Sequence, residues 1–303
     1  EAEAARRAAL EAEAAEQPSA AEVVAAARRA GNALRVLQVR AHGPSGQGLA
    51  LNTALAASAA PLVGEMESDD VRPPHAFAAL AGALASNPSW DAAASEIELV
   101  GWERPGMERY ARWQNSLHEP AELAAARFVE LPALRAACLY RRAALEAVGP
   151  YRDMWEVDGA LVDAAAPPGE GAAHLPGWWP VDSDFWSRWF ESGLVLGKVP
   201  EPLYAWRQHP AQSTRTHGRC SLDRLRACKV HFLVKDGGVV RGRPVQVFST
   251  GNTLQAWEAD LRAAGAEVEA FSYKPGARLP QGAKERRTGE TVRLFAYGME
   301  AAR

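Results

Sequence analysis

The amino-acid sequence predicts an α/β protein built from a large unit and a small C-terminal one. In the large unit a strand at residues 34–39 leads through a glycine-bearing turn into a helix near residues 49–60, and a second apolar strand follows at residues 62–66. A strand, a helix and a strand in this order are typical of a parallel sheet covered by helices. The length of 303 residues, of which 48% are hydrophobic and 23% charged, is sufficient for two such units.

The composition excludes several classes of protein. Fibrous, disordered and disulfide-rich chains have other compositions. The longest apolar stretch, residues 49–64, is interrupted by Asn52, Thr53 and Ser58, and it is shorter than the roughly 20 residues of a membrane helix. We therefore expect no membrane span.

Net charge bears on the partners that the protein could bind, and cysteine content bears on its redox compartment. A net charge of -3 gives no general attraction to nucleic acid or to anionic membranes, but it is compatible with a local basic patch. The three cysteines, Cys138, Cys220 and Cys228, form no CxxC pair, and their odd number argues against a disulfide framework. A reducing compartment, the cytoplasm, is therefore expected.

Three regions can be separated along the chain. Residues 1–30 are rich in Ala and Glu and have no sustained apolar stripe, which predicts a solvated helical leader. Residues 31–235 form the large unit, and residues 240–303 form the small α/β module.

The remaining elements of the large unit follow from hydrophobic periodicity and from turn residues. After the second strand the sequence predicts, in order, a helix at 73–85, a strand at 97–102, a basic aromatic segment at 105–118, a helix from Glu119, a strand at 138–140, a short helix ending at Val148, a helix at 182–191, a strand at 195–199, an extended segment at 203–210 and a helix at 220–234. Residues 151–180 hold several Pro and Gly and no clear period, which indicates a long loop.

The small module is predicted as strand, helix and strand over VQVFSTG, NTLQAWEADLRAAG and EVEAFS, with TVRLFAY as a further strand. Gly251 and Asn252 occupy its strand-to-helix turn, where phosphates bind in many α/β proteins. Without a GxGxxG pattern, a merely structural turn is the better interpretation.

Acidic residues follow the second strand directly, at Glu67, Asp69 and Asp70. Open α/β sheets bind ligands at the carboxyl ends of their strands. Glu67 and Asp69, separated by one residue, could present hard oxygen ligands to Mg²⁺ or Mn²⁺ that a diphosphate already chelates. Alternatively, Asp69 and Asp70 cap the helix that enters through Pro73 and Pro74.

A second acidic pair, Asp182 and Asp184, begins a helix among several tryptophans. Carboxylates in a first helical turn are favoured by capping and by the helix dipole, so a structural role would suffice for them. Trp178 and Trp179 precede the helix and could contact a ligand, since aromatic faces stack on sugar rings. The tryptophans inside the helix have helical spacing and are expected in the core: Trp186 and Trp189.

A third segment, WRQHP at 206–210, holds one cation and one imidazole. Arg207 could bind a phosphate bidentately, and His209 could give a nitrogen ligand to a transition metal. A single His-Pro in a loop is more often only a surface feature. The sequence has no GxSxG, HExxH, Walker A or zinc-knuckle pattern, which weakens hydrolase and nucleoside triphosphatase assignments.

The order of these segments resembles family 2 glycosyltransferases of the GT-A fold. The matching strings are GQGLALNTALAASAAPLVGEMESDD at 46–70, PVDSDFWSRW at 180–189 and LYAWRQHPAQST at 203–214. In addition, ERYARWQNSL at 108–117 and the GNTL-containing tail resemble a subgroup described as β-1,3-N-acetylglucosaminyltransferase-like and as queuosine-tRNA galactosyltransferase. The resemblance extends from about residue 34 to about residue 275.

The resemblance implies a GT-A-like mixed sheet flanked by helices, and transfer, with inversion, of a hexose or N-acetylhexosamine from a UDP-sugar to a hydroxyl acceptor. The acceptor would be a glycan or a modified tRNA nucleoside. Asp69, Glu67 and His209 would hold Mn²⁺ or Mg²⁺ on the donor diphosphate, and Asp182 would be the general base. The following residues would bind substrate: Asn52, Asp184, Trp178, Trp179, Arg207 and Arg109.

A tRNA acceptor would also require a basic face, because the net charge alone does not attract nucleic acid. Residues that could form such a face are Arg109, Arg112, Arg141, Arg142, Arg215 and Arg219. Such arginines are more commonly solvated surface residues without a binding role.

The sequence departs from the family pattern at several places. Val181 stands where the family has Glu, Glu67 stands where it has Asp, and the loop at 151–178 is longer. The family's first strand and its uracil-binding Asp have no counterpart before Leu34. The expectation is therefore that the GT-A-like unit is N-terminally incomplete.

Two other hypotheses compete with the enzyme. One is a catalytically inactive GT-A-like binding or scaffold protein. The other is a glycoside hydrolase that uses Asp69 and Asp182 as its two carboxylates.

Overall fold

The structure is a computed structural model that describes residues 47–102, 104–152, 155–157, 160–162, 179–216, 220–280, 282–284 and 290–296. These residues form a mixed α/β fold, in agreement with the predicted class. The predicted leader at 1–30, the predicted strand at 34–39 and Trp178 lie outside the described residues. In the described part of the chain, no helix has the length and apolar character needed to cross a membrane.

The helices are α1 Gln47–Ala56, α2 Ala76–Ser86, α3 Pro105–Asn115, α4 Pro120–Ala126, α5 Arg142–Val148, α6 Val181–Glu191, α7 Ser213–Thr216, α8 Leu222–Val234 and α9 Gly251–Ala263. The strands are β1 Leu62–Gly64, β2 Ala92–Gly101, β3 Cys138–Arg141, β4 Trp155–Val157, β5 Ala160–Val162, β6 Leu196–Gln208, β7 Val245–Ser249, β8 Val268–Ser272 and β9 Val292–Phe295. Two 3₁₀ turns lie at Arg135–Ala137 and Gly282–Lys284.

Four strands of the large unit form one mixed sheet in the order β1-β3-β2-β6. Strand β3 is antiparallel to β1 and β2, whereas β2 and β6 are parallel. Strands β1, β2 and β6 therefore run in one direction, and their carboxyl ends face the same edge. The sheet is thus mixed, as the predicted fold class has it, because the 3₁₀ turn before β3 lies at that edge and the chain enters the sheet from there.

Strand β6 joins the predicted strand at 195–199 and the predicted extended segment at 203–210 into 13 continuous residues. Its pairing with β2 shifts register on both sides of Glu96, opposite a stretch that contains Pro200 and Pro202. Proline has no N–H for the ladder, so a bulge forms where the sequence suggested a break.

One other segment differs from the expectations, and a second is given no secondary structure from the sequence. The predicted loop at 151–180 contains a short antiparallel hairpin, β4 with β5, so the loop prediction is wrong for those residues. The basic aromatic segment at 105–118 is mostly helix α3, which begins at Pro105. Proline is well suited to a first helical position, because the N–H that it lacks has no helical partner there.

The core of the large unit is aromatic. Phe185, Trp186 and Trp189 on α6 are buried and pack against Tyr140 of β3 at ring-centroid distances of 5.8, 6.3 and 5.6 Å. Trp186 also donates its indole N–H to the carbonyl of Ala133 at 2.8 Å. The predicted core positions of Trp186 and Trp189 are confirmed, and α6 is fixed against the sheet.

The C-terminal module is a three-stranded parallel sheet in the order β8-β7-β9, and the strands and helix predicted for it are confirmed. Residues of α8 and α9 pack with the valines of β7 in one apolar cluster. Arg226 on α8 and Asp260 on α9 form an ion pair at 2.6 Å. Helix α8 therefore connects the module to the large unit.

A buried cation joins β6 to α3. The Nζ of Lys198 donates to the carbonyls of Gln114 at 2.5 Å and Pro132 at 3.0 Å, and Lys198 is 3% exposed. Burial lowers the pKa of Lys198 to about 8, because the charged form loses its hydration. The folded protein therefore releases this proton at a lower pH than the unfolded chain does.

We expect the unfolding free energy of the native protein to rise, relative to that of the Lys198→Met variant, as the pH increases from 8 toward 10.5. In this window the unfolded chain binds the proton and the folded protein does not, so the difference grows by at most about 1.4 kcal/mol per pH unit. Urea unfolding of both proteins across this range measures the difference. A difference that is independent of pH would show that Lys198 is not desolvated in the folded state.

Candidate functional site

The acidic segment after β1 runs from the end of β1 to the C-terminal part of β6. It begins at Glu65 and ends at Val71, whose backbone pairs with that of Ala205 in β6. Asp182, at the start of α6, lies close enough to Glu67 for the two charges to interact. The two acidic clusters that the sequence separates by more than a hundred residues therefore meet at one place.

A buried arginine lies at the centre of this place. The Nη1 of Arg135 donates to Glu65 Oε2 at 2.6 Å, and its Nε donates to Asp182 Oδ1. Tyr151 donates its hydroxyl to Glu65, and its ring centroid lies 5.1 Å from the guanidinium carbon. The side chains of Arg135 and Glu65 are 3% and 6% exposed, whereas that of Asp182 is 32% exposed. Asp182 is thus held by a buried network and still reaches solvent.

The charge of Arg135 depends on its two carboxylate partners. Burial alone would lower the pKa of Arg135, but the carboxylates of Asp182 and Glu65 raise it well above its ordinary value. Arg135 is therefore a permanent cation in the folded protein.

Arg135, Glu65 and Tyr151 are absent from the site that the sequence predicts. Two of these residues can be singled out from the sequence as buried charges. Glu65 interrupts the apolar run LVGEM, and Arg135 interrupts the apolar run LPALRAACLY. A charge within a run that is destined for the core must find a partner there. The sequence does not tell which two charges become partners.

Glu67 is half-buried and accepts a hydrogen bond from the Nε2 of Gln47 at 2.6 Å. Burial raises the pKa of Glu67 to about 7; the Arg135 cation opposes this rise, and nearby carboxylates, first among them Asp182, add to it. Near neutral pH Glu67 is a mixture of acid and carboxylate. Binding of a metal ion by Glu67 would therefore have to displace a proton.

Asp70 and Arg207 connect the acidic segment to β6. Asp70 accepts hydrogen bonds from the hydroxyl of Tyr204 and from the backbone N–H of Arg207, the latter at 2.7 Å. Burial raises the pKa of Asp70 to about 6, although both hydrogen bonds oppose the rise. The Nε of Arg207 donates to the carbonyl of Asp69 at 2.7 Å. The side chain of Arg207, predicted to lie near a diphosphate, thus also orders the acidic segment.

Asp69 and His209 form a more accessible pair. The Nε2 of His209 lies 3.0 Å from Asp69 Oδ2, and the side chains of His209 and Asp69 are 35% and 41% exposed. Helix α2 has His75 as its N-cap residue and no side-chain cap, so the alternative that Asp69 and Asp70 cap this helix is wrong.

The metal site implied by the resemblance has three protein ligands, Glu67, Asp69 and His209. Within the described residues, no group of three or more His, Cys, Asp or Glu side chains is placed to hold a metal ion. Asp69 and His209 alone offer one oxygen and one nitrogen side by side.

Two residues predicted to bind substrate form contacts inside the fold. The side-chain amide of Asn52 binds both backbone groups of Tyr151, donating to its carbonyl at 2.9 Å and accepting from its N–H at 2.9 Å. Trp179 is fully buried against Phe232 of α8, with ring centroids 5.8 Å apart. Ligand contact by Asn52 or Trp179 would require these contacts to open.

Asp184 is also internal. It is fully buried and accepts from the Nε of Arg188 at 2.8 Å, while Arg188 donates to the carbonyls of Val148 and Pro150. Burial raises the pKa of Asp184, and the Arg188 cation opposes the rise. This arrangement anchors α6 to the chain after α5. Arg109, the last of the predicted substrate-binding residues, lies half-buried on α3.

No protein-family model matches the chain, and no curated protein matches it.

We expect the Arg135→Met variant to lose about 3–5 kcal/mol of unfolding free energy, because Glu65 is left as a buried and unpaired carboxylate. The double variant Arg135→Met with Glu65→Gln should recover part of that loss. Urea unfolding at pH 7 measures both. The matched control is Arg112→Met, whose ion pair with Glu108 is at the surface and should be worth no more than about 1 kcal/mol. Equal losses for the Arg135 and Arg112 variants would contradict the central position of Arg135.

Proposed function

We propose that the protein is an inverting glycosyltransferase that moves a hexose or an N-acetylhexosamine from a UDP-sugar to a hydroxyl group. The observation that carries the proposal is the position of Asp182. Its carboxylate is partly exposed, is bound by the buried Arg135, and lies beside the acidic segment after β1. The acceptor, a glycan or a modified tRNA nucleoside, is proposed from the sequence resemblance alone.

In the proposed reaction Asp182 accepts the proton of the acceptor hydroxyl while the hydroxyl oxygen attacks C1 of the sugar. The bond between C1 and the nucleoside diphosphate breaks, and attack from the opposite face inverts the anomeric carbon. Arg135 supports this role because it fixes the orientation of the base through one carboxylate oxygen. A fixed base avoids the loss of conformational freedom that a mobile side chain would suffer during the reaction.

The proposal includes Mn²⁺ or Mg²⁺, which when bound supplies positive charge to the diphosphate leaving group. Mg²⁺ is often held by one or two carboxylates together with substrate phosphates, so a cage of protein ligands is unnecessary. The carboxylate of Asp69 fits such a site, whereas the imidazole of His209 is a less suitable ligand for Mg²⁺ or Mn²⁺ than an oxygen. Glu67 fits less well, because burial favours its protonated form.

A second candidate function is a catalytically inactive binding or scaffold protein. The observation that favours it is the use of Asn52, Trp179 and Asp184 in internal contacts, which leaves fewer predicted residues for a substrate. The two candidates differ in whether the acidic edge responds to nucleotide and metal.

We expect the Asp182→Asn variant to transfer sugar at least about 100-fold more slowly than the native protein, because the amide cannot accept the hydroxyl proton. The amide oxygen still accepts from Arg135, and Glu65 still balances the charge of Arg135, so the variant should fold with a lower unfolding free energy and an unchanged affinity for UDP. Turnover with radiolabelled UDP-sugars and UDP titration with Mn²⁺ measure the two properties. The control is Asp223→Asn, a surface carboxylate on α8 with 82% exposure, which should transfer at the native rate.

Two results would contradict the proposal in different ways. Native transfer by Asp182→Asn would remove Asp182 as the base. If the native protein shows neither transfer nor thermal stabilisation by UDP with Mn²⁺, the scaffold is favoured, since a ligand at 100 times its Kd stabilises by about 2.7 kcal/mol.

A further inference from the structure

A surface tryptophan follows β2 at the edge that also holds the acidic segment. Gly101 ends β2 with φ +85°, and a Cβ at this position would lie 2.8 Å from the carbonyl oxygen of Gln208. This close approach lets the N–H of Trp102 donate to the same oxygen at 2.9 Å. The indole is left 46% exposed, beside the chain that continues to His209.

Two arginines from different elements stack on this indole. The guanidinium carbon of Arg104, before α3, lies 5.0 Å from the ring centroid of Trp102, and that of Arg215, on α7, lies 5.1 Å from it. The two cations are therefore no more than about 10 Å apart. Cation–π contacts of this kind hold a guanidinium without neutralising its charge.

Arg215 is also held by neutral groups only. Its Nη2 donates to Oε1 of Gln208 at 2.6 Å, and its Nε donates to Oε1 of Gln212 at 3.2 Å. Both glutamines are buried, and Gln212 is itself fixed by a 2.6 Å bond to the carbonyl of Arg207. The guanidinium is therefore oriented in advance, and its orientation does not depend on a carboxylate.

Two like charges lie close to each other at this surface. Among the carboxylates that the structure describes, none forms an ion pair with Arg104 or Arg215. The pKa of Arg215 is lowered by partial burial and by the nearby Arg104 cation. Two neighbouring cations repel each other, and an anion bound to both of them would relieve this repulsion.

We infer that Trp102, Arg104 and Arg215 form a binding subsite for the phosphate or carboxylate group of a ligand. An oriented guanidinium can bind such a group through two parallel hydrogen bonds. The inference does not rest on sugar transfer. The anion could belong to a nucleotide or to a separate acidic ligand, and its chemistry is the same in both cases.

Calorimetric titration of the full chain with inorganic pyrophosphate, without metal ions, tests the subsite. We expect saturable binding that weakens with salt, and a loss of about tenfold in affinity for Arg215→Gln and for Arg104→Gln. Trp102→Leu should also weaken binding, because both guanidinium groups lose their support. The matched control is Arg112→Gln, an exposed arginine of α3 paired with Glu108, which should bind within about twofold of the native protein.

Two outcomes would overturn the inference: no saturable binding of pyrophosphate by the native protein, or an equal loss of affinity in Arg112→Gln and Arg215→Gln. Thermal unfolding of each variant verifies that it is folded. Competition with UDP separates the two sources of the anion. Displacement of pyrophosphate by UDP supports a subsite for a nucleotide phosphate, and simultaneous binding supports a subsite for a separate acidic ligand. Failure of sugar transfer would leave these titrations unchanged, so the two proposals can fail independently.

Discussion

The charge of Arg135 is the constraint on which the large unit depends. A guanidinium with 3% exposure cannot be retained in a core without opposite charge, because the loss of hydration costs several kcal/mol. The compensation comes from Glu65 after β1, from Asp182 on α6 and from the ring of Tyr151. Three separate segments must therefore meet at the turn before β3. This requirement places the start of α6 beside the end of β1.

The acidic segment after β1 is fixed at both of its ends. At one end Glu65 is bound by Arg135, and at the other the backbone of Val71 pairs with β6, where Asp70 binds the N–H of Arg207. Between these points the carboxylates of Glu67 and Asp70 are held partly buried, whereas that of Asp69 is more exposed. Partial burial and mutual repulsion raise the pKa of Glu67 and of Asp70, and this is the electrostatic consequence of holding acidic groups along one edge.

Local patterns in the sequence were sufficient for most elements but not for the roles of single side chains. The spacing of Trp186 and Trp189 identifies a buried helix face, and the apolar run before Glu67 identifies β1. The partnership of Glu65 and Arg135 spans 70 residues, and neither residue carries a local sign of the other. The resemblance likewise implies that Asn52 binds substrate, yet its side chain binds the backbone of Tyr151, 99 positions away. Such contacts follow from the tertiary fold, which periodicity does not encode.

The edge of the sheet carries charge in two different ways. Around Arg135 opposite charges are buried and paired, so they have little capacity left to attract a ligand. Around Trp102 the exposed Arg104 and the half-buried Arg215 contact the indole, and Arg215 is also bound by neutral side-chain amides, so the positive field remains available to a ligand. The two proposals accordingly assign recognition of an anion to Arg104 and Arg215, and acceptance of a proton to the partly exposed Asp182. Taken together, the two proposals place an anionic group and a reacting hydroxyl at separate points, and the separation of those points would select ligands by their size.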